Sequence, residues 1–160
     1  MRTIIAHNAD LIIPQIWLGN YESAKDAKFI RDKGITVVVN CTKDLPFLPL
    51  PGVYKYRVPV DDNLEKSEIL SMCQWINRIL PIIDEHYSKG RSILIHCFAG
   101  MQRSAIVTLL YLYLYHFHDP IKSYDLIRAK RPIAFTPSMN FRHCLLQKIK
   151  ALQPRLKHPF

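Results

Sequence analysis

Ser92-Ile93-Leu94-Ile95-His96-Cys97-Phe98-Ala99-Gly100-Met101-Gln102-Arg103-Ser104-Ala105 is the stretch that decides the fold. Ser92 to His96 reads as a short apolar strand, and Arg103 to Phe117 as a strongly apolar helix. The chain passes from one to the other through a single tight loop. The apolar run Ala105 to Tyr115, interrupted by Thr108, falls well short of the about twenty residues a membrane span requires. It therefore reads as a buried helix.

Working outward, Ile35-Thr36-Val37-Val38-Val39 is a β-branched run typical of a buried parallel strand. Before it, Leu11 to Gly19 reads as two short strands around Pro14. Ser23 to Lys33 reads as a helix with Ser23 as its cap and Gly34 as its stop. After it, Pro46, Pro49, Pro51 and Gly52 mark a loop, and Tyr54 to Val60 reads as a strand. Ser67 to His86 has helical periodicity, with Pro81 expected to kink or split it. Asp119 to Arg131 and Ser138 to Leu152 read as two further helices. Strands alternating with helices predict an α/β fold, a mostly parallel central sheet flanked by helices. Ligands of such sheets bind beyond the C-terminal strand ends. The loops after Val39, Val60 and His96 are therefore the places to look.

Composition agrees with this class. The 160 residues are 49% hydrophobic and 22% charged, which predicts one folded domain over residues 1–160. No secretory signal is read at the N-terminus, and an intracellular location, cytoplasmic or nuclear, is expected. The net charge of +9 is concentrated at the C-terminal end: residues 120–160 hold nine Lys and Arg and one acidic residue, Asp125. That segment would suit an acidic partner or simply a solvated helix face; nucleic acid is disfavoured as a partner but stays open. Cys41, Cys73, Cys97 and Cys144 show no C-x2-C spacing and no zinc pattern. No disulfide framework is expected.

The chemistry concentrates in residues 96–104, His-Cys-x2-Gly-x2-Arg-Ser. A strand, a tight loop and a helix N-terminus make an anion cradle of backbone N–H groups with a favourable helix dipole. Gly100 permits a backbone bend that other residues resist. Arg103 offers planar paired donors that match a phosphate. The same positive surroundings favour the nucleophilic thiolate of Cys97. Taken singly, a cysteine after a strand is usually a small buried hydrophobe and an arginine at a helix start usually a solvated side chain. Together, with glycine between and His96 and Ser104 flanking, they point to phosphoryl chemistry.

Cys97 to Ser104 resembles the signature of cysteine-dependent protein phosphatases. Ile16 to Asn20, Val58 to Asn63 and the junction Arg103-Ser104-Ala105 resemble the small dual-specificity branch, over about residues 10–150. The resemblance implies hydrolysis of phosphotyrosine and phosphoserine/threonine in phosphoprotein substrates through a phosphocysteine on Cys97. The amides of Phe98, Ala99, Gly100, Met101 and Gln102 would hold the phosphate together with Arg103. Ser104 would steady the departing thiolate and His96 would support the loop. Asp62 matches the family's acid position best, with Asp61 as the alternative. No metal or cofactor is implied. Two departures stand out: Pro137 is followed by Ser138 where Asn is common, with Asn140 two places on, and Gln102 stands where Ser is common. Cys41, Cys73 and Cys144 read as core or surface thiols, and a Cys41–Cys97 disulfide is the lesser alternative. Phosphatases of this fold acting on RNA 5′ ends or on lipid or glycan phosphates remain alternatives, as does a non-catalytic phospho-binding module. Oligomeric state stays open.

Overall fold

A five-stranded sheet runs through the computed structural model, which describes residues 6–153. Its strands are β1 (Ala9–Ile13), β2 (Ile16–Gly19), β3 (Ile35–Asn40), β4 (Tyr54–Arg57) and β5 (Ser92–His96), in the spatial order β1-β2-β5-β3-β4. β1 is antiparallel to β2, and all other neighbours are parallel. Six helices accompany them: α1 (Tyr21–Lys25), α2 (Ala27–Asp32), α3 (Lys66–Ser88), α4 (Arg103–Leu112), α5 (Pro120–Lys130) and α6 (Arg142–Leu152).

Alternating side chains along each strand sort the core into two parts. Ile16, Leu18, Val37, Val39, Ile93 and Ile95 pack on one face against α3 to α6, including Met72, Ile76, Ile83, Ile106 and Leu109. Trp17, Val38 and Leu94 pack on the other face against Ala24, Phe29 and Ile30 of α1 and α2. Every residue of α4 after Arg103 is buried, which accounts for its unbroken apolar sequence. No helix among the described residues is long and apolar enough to cross a membrane.

Several boundaries differ from the sequence expectations. The expected helix Ser23–Lys33 is two helices. Asn20 caps the first by accepting the Ser23 N–H, and Asp26 breaks the chain and caps the second by accepting the Phe29 N–H. β4 ends at Arg57 rather than Val60. α3 runs unsplit through Pro81: that residue is exposed, while Ile76, Ile79, Leu80 and Ile83 anchor both sides in the core. α4 gives way at Tyr113 to a π-helical turn, Tyr113–Phe117. α6 begins at Arg142, not Ser138.

The cysteines also require a correction. Cys73 on α3 and Cys144 on α6 form a disulfide, with Cα atoms 5.1 Å apart and 71 positions between them in sequence. Closing a chain segment of that length lowers the entropy of the unfolded state by the equivalent of about 4 kcal/mol. Cys41 and Cys97 are both free thiols.

Candidate active site

The loop 97–102 joins β5 to α4 at the C-terminal edge of the parallel strands. Each of its six carbonyls accepts a hydrogen bond from the surrounding protein. Cys97 O takes one from His96 Nδ1 at 3.2 Å, and Phe98 O takes one from the Tyr21 N–H at 3.0 Å. Ala99 O and Gly100 O take the Nη2 and Nε protons of Arg131 at 3.2 and 2.8 Å. Met101 O takes the Phe135 N–H, and Gln102 O takes the Ile106 N–H within the helix. With all carbonyls turned outward, the N–H groups turn in. The Gly100 N–H points at Cys97 Sγ, 3.3 Å away. No protein acceptor among the described residues takes the N–H of Phe98, Ala99, Met101 or Gln102. A ring of unpaired amides beside a helix N-terminus binds an anion.

Gly100 is required here on two counts. Its φ is +68°, and a Cβ would come within 2.5 Å of Gly19 O and 2.7 Å of Arg131 Nη2.

Cys97 is 2% exposed at the base of the loop, with Ser104 Oγ 3.1 Å from its sulfur. The Arg103 guanidinium is anchored by Nη1, which donates to Val60 O at 3.1 Å. Its Nε is buried and has no hydrogen-bond partner among the described residues. His96 is 1% exposed, and burial, reinforced by the charges of Arg57 and Arg103, lowers its pKa to about 4. It is therefore neutral at pH 7, and Nδ1–H is the donor to Cys97 O. His96 lines no part of the cleft that contains Cys97; it braces the loop from within the core.

The two candidate acids line different hollows, which share Phe98 and Arg103. Asp62, with Cys97, Phe98, Ala99, Met101, Gln102, Arg103, Thr136 and Asn140, lines an open cleft of about 270 Å³. Asp61 faces a neighbouring hollow beyond Phe98 and pairs with Lys43 at 3.1 Å. Phe98, strongly exposed, forms the ridge between the two. Cys41, at the end of β3, is fully buried. Burial, reinforced by the nearby Cys97, raises its pKa, so it stays a protonated thiol at neutral pH.

The role of Arg131 escaped the sequence reading, as did the side-chain contacts of Gln102 and Asn140. Arg131 was counted with the basic C-terminal surface, yet it is 1% exposed. Besides the loop carbonyls it bonds His7 O at 2.7 Å and the Asp10 carboxylate at 2.8 Å. Nothing in Arg128-Ala129-Lys130-Arg131 distinguishes the interior cation from the half-buried Arg128 and the exposed Lys130. Of the same basic stretch, Arg142 and Lys150 are exposed on α6, and Arg155 and Lys157 lie outside the described residues. Gln102, read as a loop residue, is buried and reaches the segment before α6, where Asn140 meets Asp62. The departures at Gln102 and at Ser138/Asn140 were the only signal for this, and they did not reveal the pairing.

Comparison with known proteins gives a consistent result. The family described as dual specificity phosphatase, catalytic domain, matches residues 16–151. The chain is 29% identical to mouse dual specificity protein phosphatase 2 over 137 residues, 85% of this chain and 41% of that protein. It is 31% identical to human dual specificity protein phosphatase 1 over 137 residues, covering 85% of this chain and 36% of that one. The chain thus spans about two fifths of the length of the curated relatives it matches. A crystal structure of a human DUSP28 variant superposes with a TM-score of 0.81 at 25% identity, covering 93% of this chain and 99% of that one.

Proposed function

This chain belongs to the dual specificity phosphatase catalytic-domain family, and from that premise we propose that it is a single catalytic domain hydrolysing phosphotyrosine and phosphoserine/threonine in proteins through a phosphocysteine. The observation that carries the reading is the inward ring of unpaired loop amides around Cys97, with the unpartnered Nε of Arg103 beside it. The amides and the guanidinium hold the non-bridging phosphate oxygens and the charge that develops on them. Cys97 Sγ, as the thiolate, attacks phosphorus. The bond to the leaving oxygen breaks, and that oxygen takes the proton of Asp62. In the second step water attacks the phosphocysteine and passes a proton to Asp62. The S–P bond breaks, and the thiolate leaves hydrogen-bonded to Ser104. Phosphate is released and both groups return to their starting states.

The roles of Cys97, Arg103 and Asp62 in this scheme rest on their shared cleft and on the family pattern, and that of the buried Ser104 on its 3.1 Å contact with the Cys97 sulfur and on the same pattern. The uncharged side chains of Phe98, Ala99, Met101 and Gln102 favour a phosphoprotein over a polyphosphorylated headgroup. The test is steady-state hydrolysis of a peptide phosphorylated on both Thr and Tyr. Release from both residues is expected, and Cys97→Ser is expected to lower turnover by about 10⁴-fold or more. Equal release by Cys97→Ser, or none by the folded parent, would overturn the proposal.

A further inference from the structure

We propose that Asn140 is a positioning residue for the proton donor and that Gln102 is the strut that holds it; this deepens the preceding section and rests on its reading of Asp62 as the acid. Asp62 is exposed, in the turn that follows Val60. Asn140, 78 positions away, donates from Nδ2 to Asp62 Oδ1 at 2.9 Å. With Oδ1 engaged, Oδ2 is the oxygen left to carry the transferable proton.

Asn140 is itself located by the phosphate loop. Gln102 is 5% exposed, and its side-chain amide is spent on the segment before α6. Nε2 donates to Ser138 O at 2.7 Å and to Thr136 O at 3.2 Å, and Oε1 accepts the Asn140 N–H at 3.0 Å. Gln102 belongs to the loop that would hold the phosphate. The acid and the phosphorus are therefore referenced to one rigid element, although Asp62 sits on an exposed turn.

The choice of an amide has a chemical reason. General acid catalysis needs the proton within hydrogen-bond reach of the leaving oxygen, and a solvent-exposed carboxyl would reach that geometry only part of the time. A cation in place of Asn140 would orient the carboxylate but favour its ionised form, which has no proton to give. It would also compete with Arg103 for the phosphate. A neutral amide donor orients the carboxyl while favouring its ionised form less than a cation does, and it brings no charge to compete for the phosphate.

The experiment measures kcat/KM over a series of aryl phosphates, from nitrophenyl to unsubstituted phenyl. This constant reports the steps up to departure of the leaving group. Asp62→Asn should lose more as the leaving group becomes more basic. Asn140→Ala should follow the same trend, losing about 3- to 10-fold on phenyl phosphate and less on nitrophenyl phosphate. Asn140→Asp, the same shape without a donor, should lose at least as much, and Gln102→Leu should show the trend as well. Combined with Asp62→Asn, Asn140→Ala should add no further loss. A uniform loss across the series, no loss, or a loss that persists in full in the double variant would overturn the proposal. A uniform loss in Gln102→Leu alone would overturn the strut. If Asp62→Asn leaves the leaving-group trend unchanged, the assignment of the acid itself falls, an outcome separable from failure at Asn140.

Discussion

Two loops face each other across the cleft, and they are held by opposite means. In loop 97–102 every carbonyl has a protein partner, and Cys97, Gly100 and Gln102 are buried. In the turn at 61–65 the side chains of Asp62, Asn63, Leu64 and Glu65 are exposed. There the bonds run to side chains: Asp61 N–H to Glu68, Asp61 to Lys43, Asp62 to Asn140, and Glu65 N–H to Asn63. A cradle that must present several amides at once to the three non-bridging oxygens of a phosphoryl group depends on backbone shape, and backbone shape is fixed by burial and satisfied hydrogen bonds. A proton donor must place one atom, and one oriented side chain is enough for that. Rigidity is concentrated where several atoms must agree.

Arg131 is where this contrast can be broken most severely. Arg131→Met removes the donors to Ala99 O and Gly100 O and leaves the Asp10 carboxylate with His7 beside it. A loss of about 3 kcal/mol in unfolding free energy is expected from denaturant melts, since the carbonyls of Ala99 and Gly100 lose their donors and the half-buried Asp10 loses its nearer partner. In the fraction that folds, kcat/KM should fall by about tenfold or more as the amides lose alignment. A stable and fully active Arg131→Met would show that the loop keeps its shape unaided.

His96 sharpens the comparison through pH. Burial, with Arg57 and Arg103 adding to it, takes its pKa from 6.5 to about 4 in the folded chain. Between these values the unfolded chain binds a proton that the folded one refuses. Stability is therefore full above about pH 6.5, falls as the pH drops towards 4, and levels off below, a loss of about 3 kcal/mol. His96→Asn should flatten that part of the stability profile by a similar amount. An unchanged slope would mean that His96 is not the group that couples the loop to acid.

The smallest effect is expected on the acid turn. Asp61→Asn breaks an exposed pair with Lys43, and the expected change is under about 1 kcal/mol in stability and under about threefold in kcat/KM on a phosphopeptide. A loss of about a hundredfold would move the proposed proton-donor role from Asp62 to Asp61.

The sheet and its helices were legible because burial writes a periodic signature. Val37 to Val39 and Ile93 to Ile95 are apolar without interruption, since both faces of those strands are covered. Loop 97–102 was legible because glycine, cysteine and arginine occupy positions where few residues can substitute. What stayed hidden depends on long-range meetings. The Cys73–Cys144 bond needs α3 and α6 to be adjacent, and no local spacing encodes that. The start of α6 is delayed to Arg142 because Gln102, far upstream, binds the backbone of the preceding segment. Asp26 reads as an ordinary polar residue within a helix until its side chain is seen capping the next turn.

The reach of Arg131 bears on the order in which the protein can become active during synthesis. Its guanidinium joins His7 and Asp10 to Ala99 and Gly100, spanning separations of 124 and 121 residues on one side and 32 and 31 on the other. β1 and the phosphate loop are thus both made well before the side chain that locks them together. Contacts over such distances form late in folding, after loop-closure entropy has been overcome. A nascent chain that already carries Cys97 and Arg103 would hold a reactive thiol in an unfinished cradle. On the proposed function, competence to bind a phosphate therefore coincides with completion of the fold.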